Sequence, residues 1–151
     1  MSPPVITTLD RTDAPPATST FSSLSVTAIP SVNPSVYLLQ TAGQVGTPPP
    51  TTPPSPIPTS FREQAENAFA NVAACLALKS ATPRDITKIS IFVVDLEPSM
   101  RGALIEVIQN FFRGEGDDAP HKPPSSLIGV ARLASSEFLI EVEATAVVAV
   151  A

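Results

Sequence analysis

The sequence predicts an α+β fold: a single domain in the order β-β-α-β-α-β-β, with one sheet and both helices on one face. Three observations predict it. Apolar residues recur at helical spacing around residues 61–76 and again around 100–112. A β-branched and aromatic run, Thr87–Leu96, separates those segments. The C-terminal stretch Phe138–Ala149 alternates apolar and polar residues as a half-buried strand does. Strands mixed with two amphipathic helices bury their apolar sides as two packed layers.

Residues 1–20 mix Pro, Ser, Thr and Ala without periodicity and read as a flexible N-terminal arm, leaving 21–151 as the domain. Phe21–Ile29 alternates weakly and Val36–Thr41 is rich in β-formers, with Asn33-Pro34 supplying the turn between them. Ala42-Gly43-Gln44 ends the second strand. The run Thr47–Ser60 (TPPPTTPPSPIPTS) is a proline-rich insertion, since proline removes donors and fixes φ. A polyproline-like surface loop is the simpler reading of it, ahead of a ligand for aromatic-groove domains.

Thr59 or Ser60 can cap the first helix, with Glu63 completing a capping box. Phe61, Ala65, Ala68, Phe69, Val72, Cys75 and Leu76 form its buried stripe, and the helix must end before Pro83. Pro98 suits the first turn of the second helix. Its stripe is Met100, Ala103, Leu104, Val107, Ile108, Phe111 and Phe112, and Gly114-Glu115-Gly116 stops it. Asp117–Pro124 is a polar loop, and Leu127–Leu133 reads as the strand before the last one.

Charged residues make up only 15% of the chain, which is low for a monomer and points to surface hidden in an oligomer. Net charge is −5 with no basic stripe, so no nucleic-acid partner is expected. Cys75 is the sole cysteine, which excludes an intrachain disulfide, and its place on the first helix's apolar side makes it a core residue. One histidine and one cysteine give no metal-ligand spacing, and no Gly-rich phosphate loop occurs. No metal and no cofactor are therefore expected. The first residues lack the basic and apolar regions of a signal peptide. No segment approaches the ~20 apolar residues of a membrane span. A soluble, cytoplasmic protein with no membrane partner is expected.

Three local patterns carry a resemblance. They are Thr41-Ala42-Gly43-Gln44-Val45 after a strand, Arg84-Asp85-Ile86-Thr87-Lys88-Ile89 opening the central strand, and Val130-Ala131-Arg132-Leu133 followed by Ile140-Glu141-Val142-Glu143-Ala144. With the element order, they make residues 20–150 resemble the RidA (YjgF/YER057c/UK114) family. The resemblance implies a chorismate-mutase-like fold and a homotrimer whose sheets form a central barrel, with a cleft between each pair of neighbours. It also implies cofactor-free hydrolysis of small carboxylated imines or enamines to keto acids and ammonia.

That chemistry needs a cation for the substrate carboxylate, and an arginine fork supplies it through paired charge-assisted bonds. It also needs an acid to protonate the leaving nitrogen, which a carboxyl of raised pKa can be. The family usually has an arginine in a P-x-R-S-x-V stretch before VARL, and here Ser125 stands in that place. Leu127 replaces the usual cysteine, Ala42 the serine of the S-G-Q turn beside Gly43, and Phe21 an aromatic hydroxyl. The site carboxylate is retained as Glu141.

Serine has neither the charge nor the fork of arginine. These departures imply a drier cleft for a small, fairly apolar metabolite, with Glu141 as general acid or base in a tautomerisation, cyclisation or dehydration. Three further groups enter the reading. Arg132 is a replacement cation or, more simply, a structural charge. His121 is a second acid/base candidate or a solvated loop histidine. Glu143 shares a strand face with Glu141 and reads as a structural polar group. A triad of Ser125, His121 and Asp117 is too crowded in one loop to favour. Two alternatives stand beside the enzyme with a reused cleft: an imine/enamine deaminase with an altered substrate, and a non-catalytic trimer that binds a small molecule.

Overall fold

The computed structural model describes residues 5–12, 24–29, 35–51, 53–114 and 119–150. Seven strands and two α-helices follow one another as β1 (Val5–Leu9), β2 (Leu24–Ile29), β3 (Ser35–Thr41), β4 (Gln44–Val45), α1 (Phe61–Ala77), β5 (Ile86–Val94), α2 (Arg101–Phe111), β6 (Ser125–Val130) and β7 (Ile140–Val150). The strands form one mixed sheet in the order β1-β2-β3-β7-β5-β6, with β4 pairing β7 beyond the end of β3. Only β5 and β6 run parallel. A parallel pair needs a long crossover, and α2 lies within that connection.

β7 sets the two faces of the sheet. Ile140, Val142, Ala144 and Ala146 are buried, while Glu141, Glu143, Thr145 and Val147 point the other way. The buried series joins Ile89, Ile91 and Val93 of β5 and Leu24, Val26 and Leu39 of β2 and β3. Ala65, Ala68, Phe69, Val72 and Leu76 of α1 and Leu104 and Val107 of α2 close this core. Phe69 meets Phe111 edge-on at 5.0 Å between ring centres, tying the helices together. Cys75 is buried in α1. Among the described residues no helix lies on the opposite face, which presents Ile6, Ile128 and Val147 at 65%, 39% and 38% exposure.

Local chemistry explains the boundaries. Ser60 caps α1 by accepting from the Glu63 amide at 3.4 Å. A reciprocal capping box forms elsewhere, at Thr82 and Asp85, around the 3₁₀ turn Pro83–Asp85 that leads into β5. Pro98 opens a second 3₁₀ turn, Pro98–Met100, ahead of α2. Gly114 takes φ of 82° just beyond α2, where a side chain would be strained. The described part of the 47–60 insertion forms neither helix nor strand, and Thr51 Oγ1 donates to the Pro53 carbonyl at 2.8 Å within it.

Three expectations need correction. Val5–Leu9 is not loose arm but β1, because a ladder to β2 supplies the order that its composition does not signal. β4 is additional, and two residues are too few to show a periodicity. β6 ends at Val130, so Ala131, Arg132 and Leu133 lie in the connection to β7. The ladder to β5 ends at the Val94–Val130 pair, which leaves Arg132 without a strand to pair with.

Candidate functional site

β3 and β4 both pair with β7, but the chain bulges between them. Gln40 faces Thr145 and Gln44 faces Val142, so Thr41, Ala42 and Gly43 bulge opposite only Glu143 and Ala144. Thr41 Oγ1 accepts from the Ala144 amide at 3.0 Å and satisfies the donor that the bulge would orphan. Gln44 Nε2 donates to the Ala42 carbonyl at 3.1 Å. Into this bulge the Glu141 side chain folds. A methyl group built on Gly43 would lie 1.7 Å from Glu141 Oε1 and 2.6 Å from its Cδ, so only glycine admits the carboxyl there. Burial, and secondarily the negative charge of Glu143, raise the Glu141 pKa above the ordinary carboxylate value. The arrangement is a half-buried carboxyl on the open face whose protonated form is favoured by burial.

Two buried polar residues of α1 fix the strands on either side of that carboxyl. Gln64, 1% exposed, accepts from the Leu139 amide at 2.8 Å and donates to the Glu137 and Pro58 carbonyls, both at 2.7 Å. It thereby holds the entry to β7 and the end of the proline-rich insertion. Asn71 donates to the Val45 and Thr47 carbonyls, each at 3.0 Å, and accepts from Arg11 at 2.8 Å. Asn67 donates to the Gly46 carbonyl at 3.2 Å. Gly46 lies directly on Gln64. Sequence reasoning missed this clamp. Its signal was three amides at 64, 67 and 71, helically spaced along α1 beside the apolar stripe.

The other sequence-derived candidates lie apart from Glu141. Ala42 and Gly43 belong to the bulge. Ser125 pairs with Ile89 and Leu127 with Ile91, so both share the helix-covered face of the sheet and sit at its β6 edge. Glu141 pairs with Phe92 on the opposite face. One chain therefore does not bring Ser125 and Leu127 to Glu141. Glu143 pairs with Ser90 on Glu141's face and is exposed. Lys88 Nζ on that face donates to Ser126 Oγ at 2.7 Å.

His121 stands with Ser125 rather than with Glu141. Its backbone amide donates to the Phe112 carbonyl at 2.9 Å and its Nε2–H to the Ile86 carbonyl at 2.7 Å, while its ring packs edge-on to Phe112 at 5.7 Å. Those contacts anchor the 119–124 segment. Arg132 is exposed in the loop after β6 and makes no ion pair among the described residues. Phe21 and Asp117 lie outside the described residues. Among the described residues no group of three or more His, Cys, Asp or Glu is placed to hold a metal, and no helix is long and apolar enough to cross a membrane.

Between α2, β5 and the 120–125 segment lies a pocket of about 510 Å³. Ile89, Ile91, Ile108 and Phe112 floor it, and Ser125 and His121 line its wall.

Comparison with known proteins places this geometry. The profile of the family described as Endoribonuclease L-PSP matches residues 12–148. Among solved structures, yeast Mmf1 is 26% identical, with 95% of this chain and 98% of that one covered and a TM-score of 0.71. Escherichia coli TdcF, solved with bound serine, is 25% identical, with 95% and 99% covered and a TM-score of 0.73. The E. coli yjgF gene product is 25% identical, with 93% and 98% covered and a TM-score of 0.72. No curated protein sequence gives a significant match.

Proposed function

The chain belongs to the Endoribonuclease L-PSP family, which includes the RidA and YjgF proteins, and from that membership we propose a cofactor-independent acid/base catalyst acting on a small, fairly apolar metabolite. The observation that carries the proposal is the Glu141 carboxyl seated against Gly43 with its pKa raised, in a chain that has Ser125 where the family pattern has arginine. A carboxyl whose pKa is raised by burial keeps its proton more readily than an ordinary one, as a general acid must. Tautomerisation, cyclisation and dehydration each need that exchange and no redox partner.

The sheet register supports a site shared between copies. Ser125 and Leu127 lie at the β6 edge and Glu141 on the opposite face, so they meet only if the edge of one copy approaches the open face of another. Exposed Ile6, Ile128 and Val147 give that face an apolar surface suited to burial. A homotrimer, as the resemblance implies, answers both needs. Two narrower activities are disfavoured. A zwitterionic amino acid such as the serine in TdcF has no arginine fork at position 125 to take its carboxylate. The family description points to RNA, but a chain of net charge −5 gains little from phosphate contacts.

The test is an imine-deaminase assay in which an amino-acid oxidase generates 2-iminobutyrate. The natural protein should not accelerate keto-acid release, and Ser125→Arg should gain activity. Clear deamination by the natural protein overturns the repurposed-cleft reading and restores the deaminase alternative.

A further inference from the structure

We propose that the pocket behind Ser125 is a binding site for the apolar body of a ligand, an aromatic ring system or branched chain bearing a neutral hydrogen-bonding head. This deepens the repurposed-cleft reading and rests on it. The pocket's volume, about 510 Å³, falls in the range of small-molecule sites. Its floor is hydrocarbon: Ile89 and Ile91 from β5, with Ile108 and Phe112 from α2. Contact with such a floor favours a ligand through the area it removes from water.

The walls are fixed. Arg84 donates to the Ala119 carbonyl at 3.1 Å, His121 is bonded to Phe112 and Ile86, and the Ile89 amide donates to the Pro124 carbonyl at 3.1 Å. The segment that roofs the pocket is thus tied to β5 and α2 at both ends, so the cavity is largely preformed.

Position 125 controls the mouth. An arginine there would extend over the floor and set a cation against four apolar side chains. Serine leaves the floor open and places one hydroxyl at the rim. The polar groups that converge on the pocket suit a neutral head. His121 commits Nε2–H to the Ile86 carbonyl, which leaves Nδ1 as the ring nitrogen open to a ligand. The Gln109 amide and the Ser125 hydroxyl offer donors and acceptors. Arg113 is engaged by Asn110 Oδ1 at 2.5 Å and Lys122 is exposed, so neither charge is desolvated against the floor and neither demands an anion.

Binding of 1-naphthamide to the purified full chain, followed by ligand-observed NMR and titration calorimetry, tests this without a turnover assay. The natural protein should bind it. Ser125→Phe, which fills the mouth on an exposed strand edge, should weaken binding by roughly tenfold or more. Absence of binding to the natural protein, or affinity indifferent to Ser125→Phe, overturns the site. None of these readings depends on imine deamination, so failure here and failure of the acid/base reading are told apart.

Discussion

The two faces of the sheet solve different problems. The helix-covered face is complete within one chain: Leu24, Val26, Leu39, Ile89, Ile91 and Val142 are at most 2% exposed beneath α1 and α2. The open face mixes a half-buried carboxyl, a lysine–serine hydrogen bond and uncovered Ile6, Ile128 and Val147. The contrast shows that alternate residues of one strand meet different surroundings. In β7, Ile140 and Val142 are buried in the core, and Glu141 between them turns to the open face, where burial raises its pKa.

Substitutions sharpen that comparison, and the largest effect is expected on the closed face. Phe69→Ala removes a ring that is 2% exposed and packed on Phe111, and should cost roughly 3–5 kcal/mol in denaturant unfolding. Val147→Lys on the open face should change the stability of a single chain by no more than about 0.5 kcal/mol. In light scattering it should shift the protein from trimer to monomer. A wild-type monomer in the same experiment would break the comparison, since the open face would then need no partner.

The two glycines beside the site separate scaffold from carboxyl. A Gly46→Ala methyl would meet Gln64 Cα at 2.6 Å, and helix backbone cannot swing aside, so about 1–3 kcal/mol of destabilisation is expected. The Gly43→Ala methyl meets only the far end of Glu141. The side chain can rotate away, so this variant should unfold later than Gly46→Ala in denaturant yet lose the raised titration of Glu141 seen by carboxyl NMR.

The smallest effect concerns pH. The folded pKa of Glu141 is raised, so the native state binds more protons than the unfolded chain between the ordinary carboxylate value and the raised one. Stability from this group is present below the ordinary value and falls as pH rises through the raised one. Glu141→Gln should flatten that part of the stability–pH curve, leaving the protein slightly more stable at neutral pH. An unchanged slope would mean that the carboxyl is not held in the bulge in solution.

Apolar spacing, β-forming composition and turn signals were enough to locate both helices and the five strands β2, β3, β5, β6 and β7. Of the α1 stripe read from Phe61, Ala65, Ala68, Phe69, Val72, Cys75 and Leu76, all but the half-buried Phe61 are buried. The family resemblance, carried by the TAGQV, VARL and IEVEA segments, also agrees with the profile match over residues 12–148. What the one-dimensional pattern concealed depends on partners distant in the chain. β1 exists through Leu24–Ile29, and Gln64 reaches residues 58, 137 and 139. The spaced amides of α1 mark a polar stripe, but nothing local names the distant groups they bind.

By itself, then, the sequence determined the fold class, the family and most of the core, since each is written in spacing or in a short motif. Only the tertiary structure decided that Ser125 and Glu141 occupy opposite faces, that Gly43 makes room for the carboxyl, and that an apolar pocket opens behind Ser125. The physical reason is register. A strand's side chains alternate between faces, and which ones share a site is settled by the pairing of β5, β6 and β7 across the sheet.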